Sequence, residues 1–257
     1  MFITAARQLI LFTESILSLI YPRSCVSCKR SIPPVQKETN FVFFSMPLFC
    51  EACASQIRRM EDPLCPVCAV PFQSNAALSS SPGHLCGDCR SDRPSFSRAV
   101  TPYVYDGPLA EAIRSFKYHR QNNFSKYFAE LLWPDISALR VDLVMAIPLH
   151  ISRLRIREFN QSLLLAKWLS CWLGAKLMID GMRRVRKTRP QVGLSKKERM
   201  KNIRGSFILS RPEGIQKKRI LLVDDVYTTG ATLKEGAKIL IQNGASEVIV
   251  TAAARMI

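Results

Sequence analysis

The sequence predicts an α/β domain, built on a mostly parallel sheet flanked by helices, that follows a small cysteine-rich segment. Two observations carry this prediction. Eight of the nine cysteines precede residue 90, which divides the 257-residue chain near Arg90–Pro94. Beyond that point short apolar runs alternate with helical patterns, and such alternation is typical of parallel sheets covered by helices on both faces.

The individual elements of the second part follow from the length and spacing of its apolar runs. The predicted strands are Ala99–Tyr105, Val141–Ile147, Ser206–Leu209, Ile220–Val223 and Val248–Thr251. The predicted helices contain Leu109, Ile113 and Phe116, then Leu163–Leu173, then Leu233–Gln242. Apolar residues surround Cys171 in the second of these helices, and we expect it to be a core residue.

The N-terminal stretch Ile3–Ile20 is apolar, but Arg7 and Glu14 interrupt it, so it lacks the run of about 18 apolar residues that a membrane span needs. Its apolar residues recur at helical spacing, which predicts an amphipathic helix. Packing against the rest of the protein is favoured, with contact to a membrane surface as the alternative. We expect no stable membrane insertion and a cytoplasmic protein. The expected parts are a helix at 1–22, a double zinc-ribbon or knuckle domain at 23–92 and the α/β domain at 93–257.

The chain is strongly basic, with 37 Lys and Arg against 20 Asp and Glu, a formal net charge of +17. Such a charge attracts nucleic acid, phosphorylated small molecules or an acidic membrane face, without choosing among them. A hydrophobic content of 47% with 22% charged residues excludes a disordered chain.

The cysteines before residue 90 form four Cys-x2-Cys pairs, and two intervening residues let one tight turn aim both sulfurs at one tetrahedral ion. The pairs are Cys25/Cys28, Cys50/Cys53, Cys65/Cys68 and Cys86/Cys89. They supply two structural zinc sites, either in chain order or interleaved. A reducing cytosol disfavours disulfides, and a catalytic dithiol is usually a single pair beside a strand–helix unit. His84 is expected at the surface and not as a ligand.

The strongest chemical signal is the stretch ILLVDDVYTTGATL, which begins with the predicted strand Ile220–Val223. Asp224 and Asp225 follow at its carboxyl end, where open α/β sheets bind ligands. A turn of small residues then enters a helix, whose N-terminal amides and threonine hydroxyls suit an anion. That turn comprises Thr228, Thr229, Gly230, Ala231 and Thr232. The two acids suit ribose hydroxyls, with a metal ion nearby.

This stretch resembles the phosphoribosyl pyrophosphate motif of type I phosphoribosyltransferases. The resemblance implies that Asp224 and Asp225 hold the ribose hydroxyls and that the turn after them grips the 5′-phosphate. Relatives that transfer bases place an Asp four residues after the first acid, where this chain has Thr228. Transfer to a purine ring is therefore disfavoured, while an amine or hydroxyl acceptor is compatible.

A second part of the site is expected after the strand Val141–Ile147. Pro148, Leu149 and His150 resemble the loop that contacts pyrophosphate in these enzymes, and Arg153 and Arg157 could neutralise that group, with Mg²⁺ as the counter-ion. Solvation at the surface is the alternative for each arginine. Lys117 and Tyr118 either lie near the ligand or end a helix in solvent.

The segment Arg183–Arg204 contains ten basic residues opposed by one acid, Glu198. Its position and composition fit a flexible basic loop that closes over the substrate and excludes water. An arm that binds nucleic acid fits equally. The candidate residues of this loop are Arg186, Lys187, Arg189, Arg199 and Lys201.

The chain as a whole resembles the ComF family of competence proteins. The matching features are the paired cysteines, Tyr103–His119, Ile147–Ala166, Arg186–Phe207 and LLVDDVYTTGATL. One departure is Glu158, where the family usually has glycine. The resemblance implies a role in natural transformation, in which internalised single-stranded DNA is handled beside a helicase-like partner. The alternative is a Mg²⁺-dependent phosphoribosyltransferase with an unknown amine or hydroxyl acceptor.

Overall fold

The computed structural model of the chain describes residues 24–33, 47–72, 83–118, 121–186 and 195–257, except for the side chains of Lys196 and Lys197. The helix expected at 1–22 lies outside the described residues, as do Lys187 and Arg189 of the expected basic loop.

The described residues form seven strands, eight α-helices and a 3₁₀ turn at Pro212–Ile215. The strands are β1 Arg98–Val100, β2 Leu143–Ala146, β3 Lys176–Met178, β4 Met182–Arg184, β5 Phe207–Leu209, β6 Arg219–Tyr227 and β7 Glu247–Arg255. The helices are α1 Glu51–Ala54, α2 Gly87–Ser91, α3 Gly107–Tyr118, α4 Phe124–Ile136, α5 Ile151–Arg157, α6 Gln161–Leu173, α7 Lys196–Ile203 and α8 Ala231–Gln242.

Five of the strands form one parallel sheet in the order β1-β7-β6-β2-β3, which confirms the predicted fold class. Successive side chains of a strand point to opposite faces. Leu221 and Val223 therefore join a core with α3, α4 and α6, whereas Ile220 and Leu222 join a core with α8. Both faces of the sheet are covered.

The two cysteine groups pack against opposite faces of this sheet. Cys25 and Cys53 belong to the core that contains α3, α4 and α6. Cys65, Cys68 and Cys89 belong to the core that contains α8. The cysteine-rich segment is therefore part of the body of the molecule.

Several predicted elements have different limits in the structure. The predicted strand Ala99–Tyr105 is correct only at its start, since β1 ends at Val100 and Pro102 has no N–H for a ladder. The predicted strand Ser206–Leu209 lies in a separate antiparallel pair, β4 with β5. The helix α4 was not predicted. Cys171 is exposed, which corrects its expected burial: it follows Leu169 by two residues and lies on the opposite face of α6.

Among the described residues no helix is both long and apolar enough to cross a bilayer.

Candidate functional site

A pocket of about 580 Å³ lies at the carboxyl ends of β2 and β6, where open α/β sheets bind ligands. Asp224 and Asp225 line one part of it, and Thr228, Gly230 and Thr232 line another. The two features that the sequence placed side by side along the chain therefore share one cavity.

The two acids lie within β6 and not after it, because β6 continues four residues beyond the predicted end at Val223. Its pairing with β2 stops at Val223, while its pairing with β7 continues to Tyr227. The edge of β6 that faces β2 is therefore unpaired with that strand at Asp224 and Asp225, and the pocket lies at this point.

Both carboxylates are held by side chains from other elements. The Ser162 hydroxyl of α6 donates to Asp224 Oδ1 at 3.1 Å, and the Asp225 amide donates to the same oxygen at 2.9 Å. Asn160 caps α6 by accepting from the Ser162 amide at 3.1 Å, and its own amide group donates to the Ile147 carbonyl at 2.9 Å. The start of α6 is thus fixed to the end of β2.

The Lys117 ammonium group, in the last turn of α3, lies 3.0 Å from Asp225 Oδ1. Lys117 and Tyr118 both line the pocket, and the Lys117 side chain is only 17% exposed, so it is not the solvated lysine of the second alternative. Burial, together with the neighbouring Asp225 carboxylate, raises the pKa of Asp224 to about 7, against the opposing effects of the Asp225 amide, Lys117 and Ser162. Asp224 therefore changes between its protonated and ionised forms close to neutral pH.

The residues Thr228 to Thr232, which we call the phosphate loop, lead into α8. Gly230 is the N-cap of this helix with φ 73°, and a Cβ there would overlap the Tyr227 ring. Glycine is required at this position for both reasons. The helix start presents backbone N–H groups and a partial positive charge to an anion. Thr229 and Ala231 are not among the pocket-lining residues; the Thr229 hydroxyl accepts from the Ala231 amide at 3.5 Å.

Arginines also line the pocket. Arg153, Arg157, Arg184 and Arg199 all contribute. Burial lowers the pKa of Arg184 to about 10, with Arg153 adding to the effect, and burial also lowers the pKa of Arg153. Desolvated cations of this kind bind phosphate groups more strongly than solvated ones.

The expected pyrophosphate residues divide into two groups. Leu149, Arg153 and Arg157 line the pocket, whereas Pro148 and His150 are not among the lining residues. His150 instead caps α5, since its Nδ1 accepts from the Ser152 amide at 3.2 Å. Glu158, which follows α5, has φ 67°, a conformation that glycine adopts without strain.

The expectation of a flexible basic loop is wrong for the described part of this segment, most of which is regular secondary structure. Arg183 and Arg184 lie in β4, and Arg199 and Lys201 lie in α7. A capping box between Ser195 and Glu198 begins that helix, which explains the single acid of the segment. Arg186 donates to the Asn202 and Arg204 carbonyls at 2.9 and 2.7 Å. Of the five candidates in this segment, Arg199 lines the pocket.

Sequence reasoning missed Ser162 and Arg114 and left Arg184 unassigned within a basic run. Ser162 stands next to the Asn160-Gln161 cap of α6, but its reach to Asp224 depends on the sheet order. Arg114 precedes Lys117 by three residues and lies on the same helix face, which is the signal that could have identified it.

Two groups of four cysteines bring their sulfur atoms together, each within 4.8 Å. The first cluster is Cys25, Cys28, Cys50 and Cys53, and the second cluster is Cys65, Cys68, Cys86 and Cys89. The pairing is sequential. The Cys28–Cys50 and Cys68–Cys86 sulfur distances are both 3.6 Å, close to the roughly 3.8 Å that tetrahedral Zn–S bonds of about 2.3 Å impose. Both clusters therefore fit structural zinc.

The two clusters are built alike. In each, a turn carries the first pair, with Lys29 or Ala69 at φ 63° or 58° directly after the second cysteine. Burial acts to raise the pKa of Cys25 and Cys65, but backbone amides outweigh it and lower these pKa values to about 6 and 7. The amides thus favour the thiolate forms of these two cysteines, whereas burial raises the pKa of Cys53, Cys68 and Cys89. His84 is not in a cluster; its ring lies 5.6 Å from that of Phe72.

Models of two known domain families match the two parts of the chain. The model of a double zinc ribbon domain matches residues 16–90, and the model of a phosphoribosyl transferase domain matches residues 160–255. Solved structures align more weakly. The allosteric regulatory enzyme of purine biosynthesis is 19% identical with a TM-score of 0.40, over 55% of this chain and 30% of its own.

Curated relatives match over about three quarters or more of both chains. The DNA utilization protein YhgH of Salmonella typhimurium is 35% identical over 208 residues, which cover 78% of this chain and 87% of that protein. Competence protein F of Haemophilus influenzae is 33% identical over 80% of this chain and 90% of its own length. The competence protein ComFC of Bacillus subtilis is 26% identical over 76% and 78%. The chain belongs to the ComF family of competence proteins.

Proposed function

We propose that this chain binds phosphoribosyl pyrophosphate with Mg²⁺ and acts in DNA uptake during natural transformation, where it handles internalised single-stranded DNA. One observation carries the ligand assignment. Two neighbouring carboxylates and the N-terminus of α8 face the same pocket, beside the buried Arg184. Carboxylates suit sugar hydroxyls, and helix amides suit a phosphate.

The parts of the ligand map onto parts of the pocket. The 5′-phosphate would lie at the phosphate loop, and the ribose hydroxyls would bond to Asp224 and Asp225. Arg153 and Arg184 would face the pyrophosphate, whose charge requires cations. Mg²⁺ keeps several waters and binds through substrate phosphates, so it would be held mainly by the ligand beside the acids.

The role with DNA has a separate basis. The relatives are named for DNA utilization and competence, and the net charge of +17 suits a polyanion. A helicase-like partner on the same strand belongs to this proposal.

Titration calorimetry with phosphoribosyl pyrophosphate, with and without Mg²⁺, tests the assignment. We expect saturable binding that Mg²⁺ strengthens and that Asp225→Asn weakens at least about tenfold, the value of a charged hydrogen bond. The control is Asp180→Asn, which changes an exposed aspartate that does not line the pocket and should bind like the wild type. Absence of binding at millimolar ligand would refute the proposal.

A second function, turnover of the ligand, is favoured by the pKa of about 7 at Asp224, which suits proton transfer near neutral pH. The acceptor would be an amine or a hydroxyl group. Release of pyrophosphate in the presence of such acceptors, abolished by Asp224→Asn, tests it. Binding without any release would leave the ligand as a regulator of DNA handling.

A further inference from the structure

A second groove, of about 600 Å³, adjoins the pocket on the side of the first cysteine cluster. The turn of that cluster supplies Ser27 and Lys29, and α3 supplies Arg114 and Tyr118. Arg114 and Tyr118 line both cavities, so the groove lies directly beside the pocket. None of the functions above uses it.

Tyr118 stands at the junction and is 65% exposed, which is unusual for so large a ring. The Arg157 guanidinium lies 5.3 Å from the centre of the ring. A cation at this distance is attracted by the ring and orders it. The exposure of the remaining ring surface, beside the positive charges of Arg114 and Lys29, is the arrangement on which unpaired bases stack.

We propose that this groove is a path for single-stranded nucleic acid, in which a base stacks on Tyr118 while Lys29 and Arg114 contact phosphates. The proposal rests on the function above in that it places the strand beside the phosphoribosyl pocket. Glu111 also lines the groove, but one of its carboxylate oxygens is buried away from solvent. Double-stranded nucleic acid does not fit this path, because its paired bases are unable to stack on the Tyr118 ring.

Fluorescence anisotropy with a labelled oligothymidine of about 12 nucleotides tests the path. We expect Tyr118→Ala to weaken binding about 5- to 100-fold and Tyr118→Phe to bind like the wild type. Arg114→Ala should also lower the salt dependence of binding by about one counter-ion. Arg140→Ala, which removes an exposed arginine on the amino-terminal side of β2, is the matched control.

Unchanged binding of Tyr118→Ala would overturn the path, as would tighter binding of the duplex than of the single strand. Ribose 5-phosphate, titrated in parallel, separates this inference from the proposed function. If the wild type fails to bind the sugar phosphate while oligothymidine binding depends on Tyr118, the phosphoribosyl assignment fails and the path stands.

An independent set of contacts joins the second cysteine cluster to the phosphate loop. The Arg255 side chain is 7% exposed and donates a hydrogen bond to the carbonyl of Cys68. Its guanidinium carbon lies 4.2 Å from the centre of the Tyr227 ring. The Tyr227 hydroxyl in turn lies against Gly230, the N-cap of α8. Three contacts therefore lead from a cluster cysteine to the loop.

The charges favour the same connection. A zinc ion with four thiolates carries a net charge of about −2, which offsets the cost of burying the Arg255 cation next to it. Loss of the ion would remove this negative charge from beside the Arg255 guanidinium and weaken its hold on the Cys68 carbonyl. We infer that Arg255 is a positioning residue, through which the second cluster holds the phosphate loop in its binding conformation.

Binding of ribose 5-phosphate to Arg255→Ala tests the inference, which rests on the proposed function of the loop. We expect affinity to fall about tenfold or more, while the thiolate absorption of cobalt-substituted protein still reports two intact clusters. Arg255→Lys should recover part of the affinity. Arg59→Ala is the control, since Arg59 likewise lies over a tyrosine, Tyr103, at 5.0 Å, but that tyrosine does not line the pocket.

If Arg255→Ala loses its clusters, Tyr227→Phe keeps the stacked ring and removes only the hydroxyl beneath Gly230; its affinity should fall as well. Wild-type affinity in either variant with intact clusters would overturn the inference alone. Failure of the wild type to bind ribose 5-phosphate would instead overturn the proposed function together with it.

Discussion

The Lys117 ammonium group lies 3.0 Å from the Asp225 carboxylate, and the two side chains are only 17% and 16% exposed. This ion pair joins the end of α3 to β6 at the floor of the pocket. It also balances one of two adjacent acids, which would otherwise repel each other in a partly buried place.

Removal of the Lys117 charge should destabilise the protein, because Asp225 then loses its ion-pair partner. We expect Lys117→Met to lower the free energy of unfolding at pH 8 by about 1–3 kcal/mol, because a partly buried carboxylate loses its partner. Lys126→Met, which breaks a 3.9 Å pair with Glu130 on α4, should cost at most about 0.5 kcal/mol. Urea unfolding of both variants gives the comparison, and equal losses would contradict it.

Asp224 should make stability depend on pH in an uncommon direction. Its pKa of about 7 in the folded state lies above the ordinary value of 3.8, so the folded state binds the proton more tightly. The stability from this group is complete below about pH 4 and is lost as pH rises through 7. Asp224→Asn should therefore be more stable than the wild type above pH 7, by up to a few kcal/mol.

The difference between these two proteins should shrink as the pH falls from 7 to 4 and level off below about pH 3, where the wild-type carboxyl is protonated in both states. Urea unfolding at several pH values measures it. A gap that stays constant between pH 4 and 8 would show that the Asp224 pKa is not raised. The buried Asp224 carboxyl group therefore lowers the free energy of unfolding near neutral pH, at a position that the proposed ligand binding requires.

Gly230 should tolerate no side chain, for a reason beyond its backbone angle. Gly174 has a similar φ of 64° with open space around it, so Gly174→Ala should cost about 1 kcal/mol. Gly230→Ala adds an overlap with the Tyr227 ring and should cost clearly more. It should also weaken the binding of inorganic phosphate. Equal thermal stability of the two variants would argue against the close packing of this loop.

Each of the two cysteine clusters should bind its own zinc ion independently of the other. Wild-type protein is expected to contain two zinc ions, and Cys25→Ser or Cys65→Ser should each lose one of them. Cys171→Ser changes an exposed cysteine outside both clusters and should keep both ions. Elemental analysis after gel filtration gives the counts. A variant of either cluster that retains two ions would mean that its cysteine is not a ligand.

Local patterns in the sequence were enough to predict part of this site. The stretch from Ile220 to Leu233 combines a buried strand, two acids and a small-residue turn within 14 residues, so its chemistry needs no knowledge of the fold. The cysteine pairs are equally local. Glu158 was marked by its place in the family pattern, and its positive φ explains why glycine is usual there.

The rest depended on contacts between distant segments. Ser162 and Lys117 reach the acids from α6 and α3, and neither contact follows from sequence spacing. The end of β6 was misplaced because its last residues pair with β7 alone, and a run that includes two aspartates does not have the pattern of a strand. A loop is predicted where the structure has α7, because that prediction rests on the basic composition of the segment and not on the Ser195–Glu198 capping box that begins the helix.

The most direct test of the pocket compares ribose 5-phosphate with 2-deoxyribose 5-phosphate in titrations of the wild type and of Asp224→Asn and Asp225→Asn. If carboxylates hold the hydroxyls, the wild type should prefer ribose by about tenfold or more, and at least one variant should lose that preference while it still binds inorganic phosphate. Equal affinity of the wild type for the two sugars would contradict the account.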